Sequence, residues 1–563
     1  MQPLSNTESC ENMKSRSYLV LLVSIAALGG LLYGYDIGII GTALLYLDKC
    51  VRLSEGQVGM LASAVMVGAL ASSVLGGGLS DWLGRKKAMM ISALLFAVSV
   101  IMIVTAQGFW PLFFGRTLQG LSAGMIAVVI PVFMSECVPA KTRGLGSTVF
   151  QLCITLGILL AMAAGAYYES GVEAAVAAAA GDATKIMGIE DAAWRNMFRS
   201  SIWPAIVFFF VAFIASESPR WLFRHGRKEK ALAVLLKGRD QAQADLELRE
   251  MEEVTGRAKD RHGAGGDSLF QRHYLVPLIF AVVLLGINQA TGIVAVFTFP
   301  VVMLHQSGLS ESAASHTGVW LALTNFTVTI FGVLLVDRLG RKMLLKIGTS
   351  IIIVALILGV ITFLKVESGR QDVSAKLQSA IVGNTLTIPV KDIAPSSGGN
   401  VQVNVVYAYG GKEQMTLVRS DAAEPVLTLK PDAKTPAANL KIVRAKFSAA
   451  PAQQTGQIIF ACLLLYIAGF AFGPGVCLWL MSAELLPTRV RSFGMGVGVL
   501  FNALVTIGTT AVFLPVVGNF GYAAMWGVWL VCTVVYFLFA AFVLPETKGR
   551  TLEEIEAHFA KKS

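Results

Sequence analysis

The chain has 563 residues, of which 55% are hydrophobic and 15% charged, with a formal net charge of +10. A soluble domain carries about a quarter charged residues, so this sequence has too little polar surface for a soluble globule of its size. The basic residues do not gather in one stripe, which argues against nucleic-acid binding. The seven cysteines form no CxxC or His-linked metal spacing and read as small apolar side chains.

The first segment, Met1 to Ser17, is polar and has no signal-peptide cleavage pattern, so the apolar run behind it is expected to stay as a helix. A spanning helix needs roughly 20 apolar residues, and twelve such runs can be read. In the first half they are 18–47, 57–79, 88–107, 111–135, 145–166 and 198–215. In the second they are 275–305, 317–336, 345–365, 456–482, 494–515 and 521–544. An even count puts both termini on one side of the membrane. Arg85, Lys86 and Lys87 follow the second run, Lys141 and Arg143 the fourth, Arg338, Arg341, Lys342 and Lys346 the eighth, and Arg489 and Arg491 the tenth. The link from Arg220 to His273 and the tail after Lys548 are also basic. The positive-inside rule makes that side cytoplasmic, with both termini on it.

The expected class is an all-α membrane protein of two six-helix halves. Residues 1–215 form the first bundle, 274–365 with 455–544 the second, and 545–563 a cytoplasmic tail. Residues 216–273 read as a linker of short charged amphipathic helices on the cytoplasmic face. Residues 366–454 hold alternating β-branched runs such as NTLTIPV and NVQVNVVYAY between Gly, Pro, Asn and Asp. They predict a small β-rich domain on the other side. An alanine-rich insertion at 167–194 is also expected outside.

The halves repeat. Asp81-Trp82-Leu83-Gly84-Arg85-Lys86 returns as Asp337-Arg338-Leu339-Gly340-Arg341-Lys342, and Glu136 with Arg143 returns as Glu484 with Arg491, seven residues apart in both cases. Asp81 to Glu136 is 55 residues and Asp337 to Glu484 is 147, an excess that matches the β-rich stretch. A parallel repeat of six-helix halves is one large transporter layout, with its solute site between the halves at the midplane.

Four motifs resemble the sugar-porter branch of the major facilitator superfamily: Gly77-Gly78-Leu79-Ser80-Asp81-Trp82-Leu83-Gly84-Arg85-Lys86-Lys87, Pro131 to Glu136 followed by Arg143-Gly144, Ser216-Glu217-Ser218-Pro219-Arg220-Trp221-Leu222, and Pro545-Glu546-Thr547-Lys548-Gly549-Arg550. The third has Ser216 where Pro is usual. The resemblance covers nearly the whole chain outside the two outer insertions. It implies twelve helices, pseudo-twofold halves and alternating access by rocking. It also implies a cytoplasmic gate in which Asp81/Arg85, Glu136/Arg143, Glu217/Arg220, Asp337/Arg341, Glu484/Arg491 and Glu546/Arg550 pair across helix ends when the inner side is closed. Such pairs break when it opens; as topology anchors they would only satisfy the positive-inside rule.

Asp36 lies in mid-span in LYGYDIGIIG and Arg116 near the start of the fourth run in FFGRTLQG. Charge at that depth is costly unless paired, so these two are expected to meet. The resemblance gives them proton coupling, since facilitators commonly carry a neutral residue at the Asp position. A further acid that some coupled members carry in the sixth span is Ser201 here. Carried across position by position, the solute site falls on Gln151, Asn288, Gln289, Asn325, Trp479 and Asn502. Amides inside spans also serve as interhelical glue. Val294, Thr298-Phe299, Asn288, Ala503 and Val476 depart from the family pattern, implying a wider and less polar pocket. The expected activity is import of a hexose or pentose by proton symport. A uniporter, or a carrier of a polyol such as inositol or of a sugar derivative, remains open. No enzymatic role, cofactor or metal is expected: 366–454 contains no His or Cys. The short tail after Arg550 argues against a signalling sensor. The expected setting is a lipid bilayer, the cell (inner) membrane, with the protein working as a monomer.

Overall fold

Apolar runs without water to satisfy their backbone must close their own hydrogen bonds, which helices do. A computed structural model describes residues 6–51, 55–138, 143–179, 182–262, 272–309, 317–393, 400–409, 412–420, 425–429, 439–487 and 490–550. The first half contains α1 (Asn6–Val51), α2 (Glu55–Leu83), α3 (Arg85–Val104), α4 (Phe109–Cys137), α5 (Arg143–Ala178), α6 (Ala183–Ser200) and α7 (Ile202–Ile214). Two short helices, α8 (Pro219–Arg224) and α9 (Lys228–Leu235), and a longer one, α10 (Gln241–His262), follow. The second half contains α11 (Arg272–Ala290), α12 (Ile293–Thr298), α13 (Pro300–Gln306), α14 (Thr317–Leu339) and α15 (Arg341–Glu367).

After α15 come β1 (Gln371–Asp372), α16 (Ser374–Ser379), β2 (Leu386–Pro389), α17 (Val390–Ile393), β3 (Val401–Tyr409), β4 (Lys412–Arg419), β5 (Val426–Leu429) and β6 (Leu440–Ala449). Then α18 (Gln453–Phe472), α19 (Pro474–Leu485), α20 (Arg491–Phe520) and α21 (Tyr522–Leu538) complete the bundle. Among the described residues eleven helices are long and apolar enough to cross a membrane. A pair bent by 44° within α2, Ala64–Ser72 and Leu75–Leu83, makes a twelfth.

Three spans differ from the sequence reading. The run at 275–305 is three helices, broken at Thr291-Gly292 and at Phe299-Pro300. The run at 456–482 breaks where Pro474, which has no N–H to donate, starts α19. The alanine-rich stretch 167–194 continues α5 and begins α6, which leads into the sixth span.

Within a half, helices meet at small residues. A Cβ on Gly120 of α4 would overlap the Val65 carbonyl of α2, and one on Gly68 of α2 the Thr117 carbonyl of α4. Contact this close is how spans associate where lipid removes the hydrophobic drive. Between halves, α2 packs on α20 and α5 on α14. Toward the end that carries the Asp81–Arg85 and Asp337–Arg341 turns, called the basic end below, the halves share one apolar core. It joins Phe133, Met134 and Phe150 to Val476, Leu480 and Leu486. At the opposite end each half keeps its own core, with Tyr46, Trp194 and Phe198 in one and Phe363, Phe513, Trp526 and Trp529 in the other.

The strands form a four-stranded antiparallel sheet in the order β1-β6-β3-β4 and a β2-β5 pair. Alternate residues Val401, Val403 and Val405 enter an apolar core with Leu386, Ile442 and Phe447. The other face meets the bundle: Arg444 donates to the Asn519 carbonyl at 2.6 Å, and Lys446 lies 3.4 Å from the same oxygen. Burial and the nearby Arg370 and Arg444 hold the Lys446 ammonium below its usual pKa. Glu367 accepts the Tyr522 N–H at 2.7 Å and pairs with Arg370 at 3.1 Å. Carbonyls at the end of α20 and the first N–H of α21 are thus satisfied from the β-rich segment and its stem.

Gly120→Leu is expected to abolish the monodisperse folded species in size-exclusion chromatography. Gly508→Leu, where a Cβ meets nothing within 4 Å, is expected to retain it.

Candidate transport site

Asp36 projects from α1 and Arg116 from α4. Arg116 Nη1 lies 2.8 Å from Asp36 Oδ1, with both side chains at most 3% exposed. The same nitrogen donates to Gln119 Oε1 at 2.7 Å, one turn along α4. The Phe198 ring of α6 lies 5.6 Å from the guanidinium carbon. The pair read from the sequence is therefore in contact, inside a bundle with no other described acid or base bonded to it. Ser201 hydrogen-bonds the Phe198 carbonyl at 2.6 Å and does not join the pair.

The amides separate into two groups. Gln289 of α11 donates to Asn502 Oδ1 of α20 at 3.3 Å, and Asn502 donates to the Leu285 carbonyl at 2.9 Å. Gln289 Oε1 is buried without a partner, an acceptor for an arriving hydroxyl. Gln151 of α5 and Asn325 of α14 are buried on the helices that meet between the halves. Trp479 of α19 stands edge-on to Phe150, their centroids 6.1 Å apart, which sets it beside the Gln151 turn. Asn288 behaves differently. It is fully buried, and its amide reaches the Pro474 carbonyl at 3.3 Å and the Tyr536 hydroxyl at 3.5 Å. It ties the break before α19 to α11 and α21, as a support behind the site. Tyr466 supports the other break, donating to the Thr291 carbonyl at 2.9 Å.

At the basic end the two halves repeat one cluster. Arg85, fully buried, meets Asp81 at 2.8 Å and Glu136 at 3.0 Å and donates to the Ser80 carbonyl. Arg341 meets Asp337 at 2.9 Å and Glu484 at 3.1 Å and donates to the Val336 carbonyl. Glu217 does not pair with Arg220. Its carboxylate accepts the backbone N–H groups of Arg85 at 2.8 Å, Lys86 at 3.2 Å and Ser218 at 2.9 Å. Glu546 likewise takes the N–H groups of Arg341, Lys342, Thr547 and Lys548, each at 3.0–3.1 Å, rather than Arg550. Both carboxylates cap a helix N-terminus, where the dipole favours negative charge. Burial still pushes the Glu217 carboxyl above its usual pKa, against the N–H groups that lower it. Each cap needs a bare α-carbon before it: Gly84 (φ 97°) and Gly340 (φ 88°) have no room for a Cβ beside Glu217 and Glu546.

A hydroxyl stands beside the inward glutamate in each cluster. Ser218 Oγ closes the first by donating to Glu136 Oε2, and Thr547 stands against Glu484 at the matching place in the second. Glu484 is met by Arg341, and Arg491 donates to the Leu486 carbonyl at 3.1 Å. The Arg143 side chain lies outside the described residues, so the Glu136/Arg143 pair is not described.

The model of one family, described as "Sugar (and other) transporter", matches residues 22–388 and 438–559. The chain belongs to this family. It is a multi-pass membrane transporter, and the stretch the family model passes over, 389–437, falls among the strands. It is 27% identical to the glucose transporter GlcP of Staphylococcus epidermidis, covering 98% of this chain and 99% of that protein. It is 26% identical to the arabinose-proton symporter of Bacillus subtilis, covering 97% and 96%. A solved structure of the proton:xylose symporter XylE bound to 6-bromo-6-deoxy-D-glucose superposes with a TM-score of 0.70 at 22% identity. It covers 97% of this chain and 100% of that one, and shares the major facilitator fold.

Sequence reasoning missed Gln119, although an amide one turn after a buried arginine is a readable signal. It also missed the capping by Glu217 and Glu546, because their partners lie 132 and 205 residues away. Glu136→Ala removes the buried one of the two carboxylates on Arg85, leaving half-exposed Asp81, and is expected to cost about 3–5 kcal/mol. Asp81→Ala removes a half-exposed partner and is expected to cost about 0–1 kcal/mol. Asn288→Ala is expected to cost about 1–3 kcal/mol, through the support it gives the α19 break. Thermal unfolding in detergent measures all three.

Proposed function

We propose that this protein imports a monosaccharide together with a proton, by alternating access between its two halves. The observation that carries the reading is the buried Asp36–Arg116 pair at 2.8 Å within the spanning bundle. Ionised Asp36 holds Arg116, and so fixes α1 to α4. A proton on Asp36 removes that attraction and frees the helices to shift, so proton uptake and helix movement become one event. The names of the arabinose-proton and proton:xylose symporters support the same reading.

Taking the basic end as cytoplasmic by the positive-inside rule, the shared core there closes the inner side and leaves the halves separate outside. Solute then arrives from the outer side onto Gln151, Gln289, Asn325, Trp479 and Asn502, with Asn288 behind them. Helix breaks beside the site, at Gly292 and Pro474, are where transporter spans commonly hold substrate. The Arg85 and Arg341 clusters each lie within one half. They act as a gate by fixing the helix ends that form the inner closure. The protein is read as a monomer of the cell (inner) membrane, with both termini cytoplasmic.

A polyol or sugar derivative is favoured as the alternative solute by one observation. Phe299 stacks on Phe513 with centroids 4.7 Å apart, and Ala503 is buried, which makes that wall apolar. A thermal-shift panel of sugars and polyols identifies the solute: a ligand at 100 times its Kd adds about 2.7 kcal/mol of stability.

In proteoliposomes, an inward proton gradient is expected to drive solute accumulation. Asp36→Asn is expected to abolish accumulation while retaining downhill exchange. Wild-type uptake indifferent to the gradient would establish a uniporter instead.

A further inference from the structure

Arg116 Nη1 divides its two hydrogens between Asp36 Oδ1 and Gln119 Oε1, at 2.8 and 2.7 Å. Gln119 is fully buried, its Nε2 has no partner, and Arg116 Nε has none. An amide kept in an apolar span at the cost of a bare N–H group calls for a reason. Its one hydrogen bond to a side chain is to the guanidinium that also holds the carboxylate.

We infer that Gln119 is the second anchor of Arg116: it holds the guanidinium while Asp36 carries a proton, and so sets how readily Asp36 takes one up. The inference rests on the coupling role proposed for Asp36. When Asp36 is ionised, two oxygens share one charged nitrogen. When Asp36 is protonated, its hold weakens and Gln119 Oε1 keeps a full acceptor on the buried cation. Without Gln119 the protonated state would leave Arg116 nearly bare, the costliest condition for a charge at that depth. Gln119 is therefore a positioning residue that favours proton binding. The groups that face the carboxylate are few. Arg116 faces it from α4, and the Tyr33 phenol on α1 lies within its electrostatic reach. Phe198 from α6 covers the guanidinium, and Ser200 on the same helix bonds the Tyr35 hydroxyl.

The test reads the proton directly and needs no solute. In the purified full-length protein, the infrared band of the protonated Asp36 carboxyl, isolated as the difference from Asp36→Asn, is followed against pH. Gln119→Met keeps the volume and removes the acceptor, and is expected to move the midpoint down by about one pH unit, tenfold in proton affinity. Gln119→Glu keeps an acceptor and adds negative charge beside Asp36, and is expected to move it up by about as much. Opposite shifts support the inference. Midpoints that stay at the wild-type value, or shift the same way, overturn it, as would the wild-type band failing to titrate. Gln119→Leu, which also lacks the acceptor, takes the place of Gln119→Met should that variant fail to fold. Gradient-driven uptake, measured separately with radiolabelled D-glucose, D-xylose and L-arabinose, reports on symport. Its absence with a shifting band faults the transport reading alone.

Discussion

A guanidinium placed inside an apolar bundle must be paired, because its charge is never lost and its desolvation cost is large. Arg85, Arg341 and Arg116, each at most 6% exposed, meet that demand with carboxylates. Each draws carboxylates from distant parts of the chain. Arg85 brings Glu136 onto the start of α3, Arg341 brings Glu484 onto the start of α15, and Arg116 brings Asp36 onto α4. Helix positions at the basic end and at mid-bundle follow from these pairings.

The first two arginines show one solution used twice. A glycine with positive φ admits a glutamate to the helix N-terminus, and the arginine that follows it turns inward to a second glutamate. The arginine and its inward glutamate lie 51 residues apart in the first cluster and 143 in the second, yet the geometry of one cluster predicts the other. Ser218 stands against Glu136 in the first cluster as Thr547 stands against Glu484 in the second. The same economy of helix ends places the β-rich segment: Glu367 and Arg444 satisfy the junction of α20 and α21 on the side remote from the clusters.

Arg116 differs from the other two in having little to hold it besides Asp36 and Gln119. Arg85 and Arg341 each have two carboxylates and a carbonyl, so loss of one charge leaves others. At Arg116 the arrival of a proton on Asp36 alters the only ion pair described there. That contrast separates charges held by several partners from one held by a single carboxylate.

The sequence alone determined the class, the span count, the repeat and the buried acid and base. Those follow from local hydropathy, charge bias and the short motifs around Asp81, Glu136, Glu217 and Glu546, all of which are properties of adjacent residues. Tertiary structure decided what each of those residues touches. Glu217 and Glu546 cap helices instead of pairing with Arg220 and Arg550, because backbone N–H groups at a helix start offer a carboxylate more hydrogen bonds than one mobile side chain. Asn288 meets the α19 break while the adjacent Gln289, about 100° away around the helix, meets Asn502. A one-residue difference in a spanning helix is enough to exchange one neighbouring helix for another, and only the arrangement of those helices says which is met.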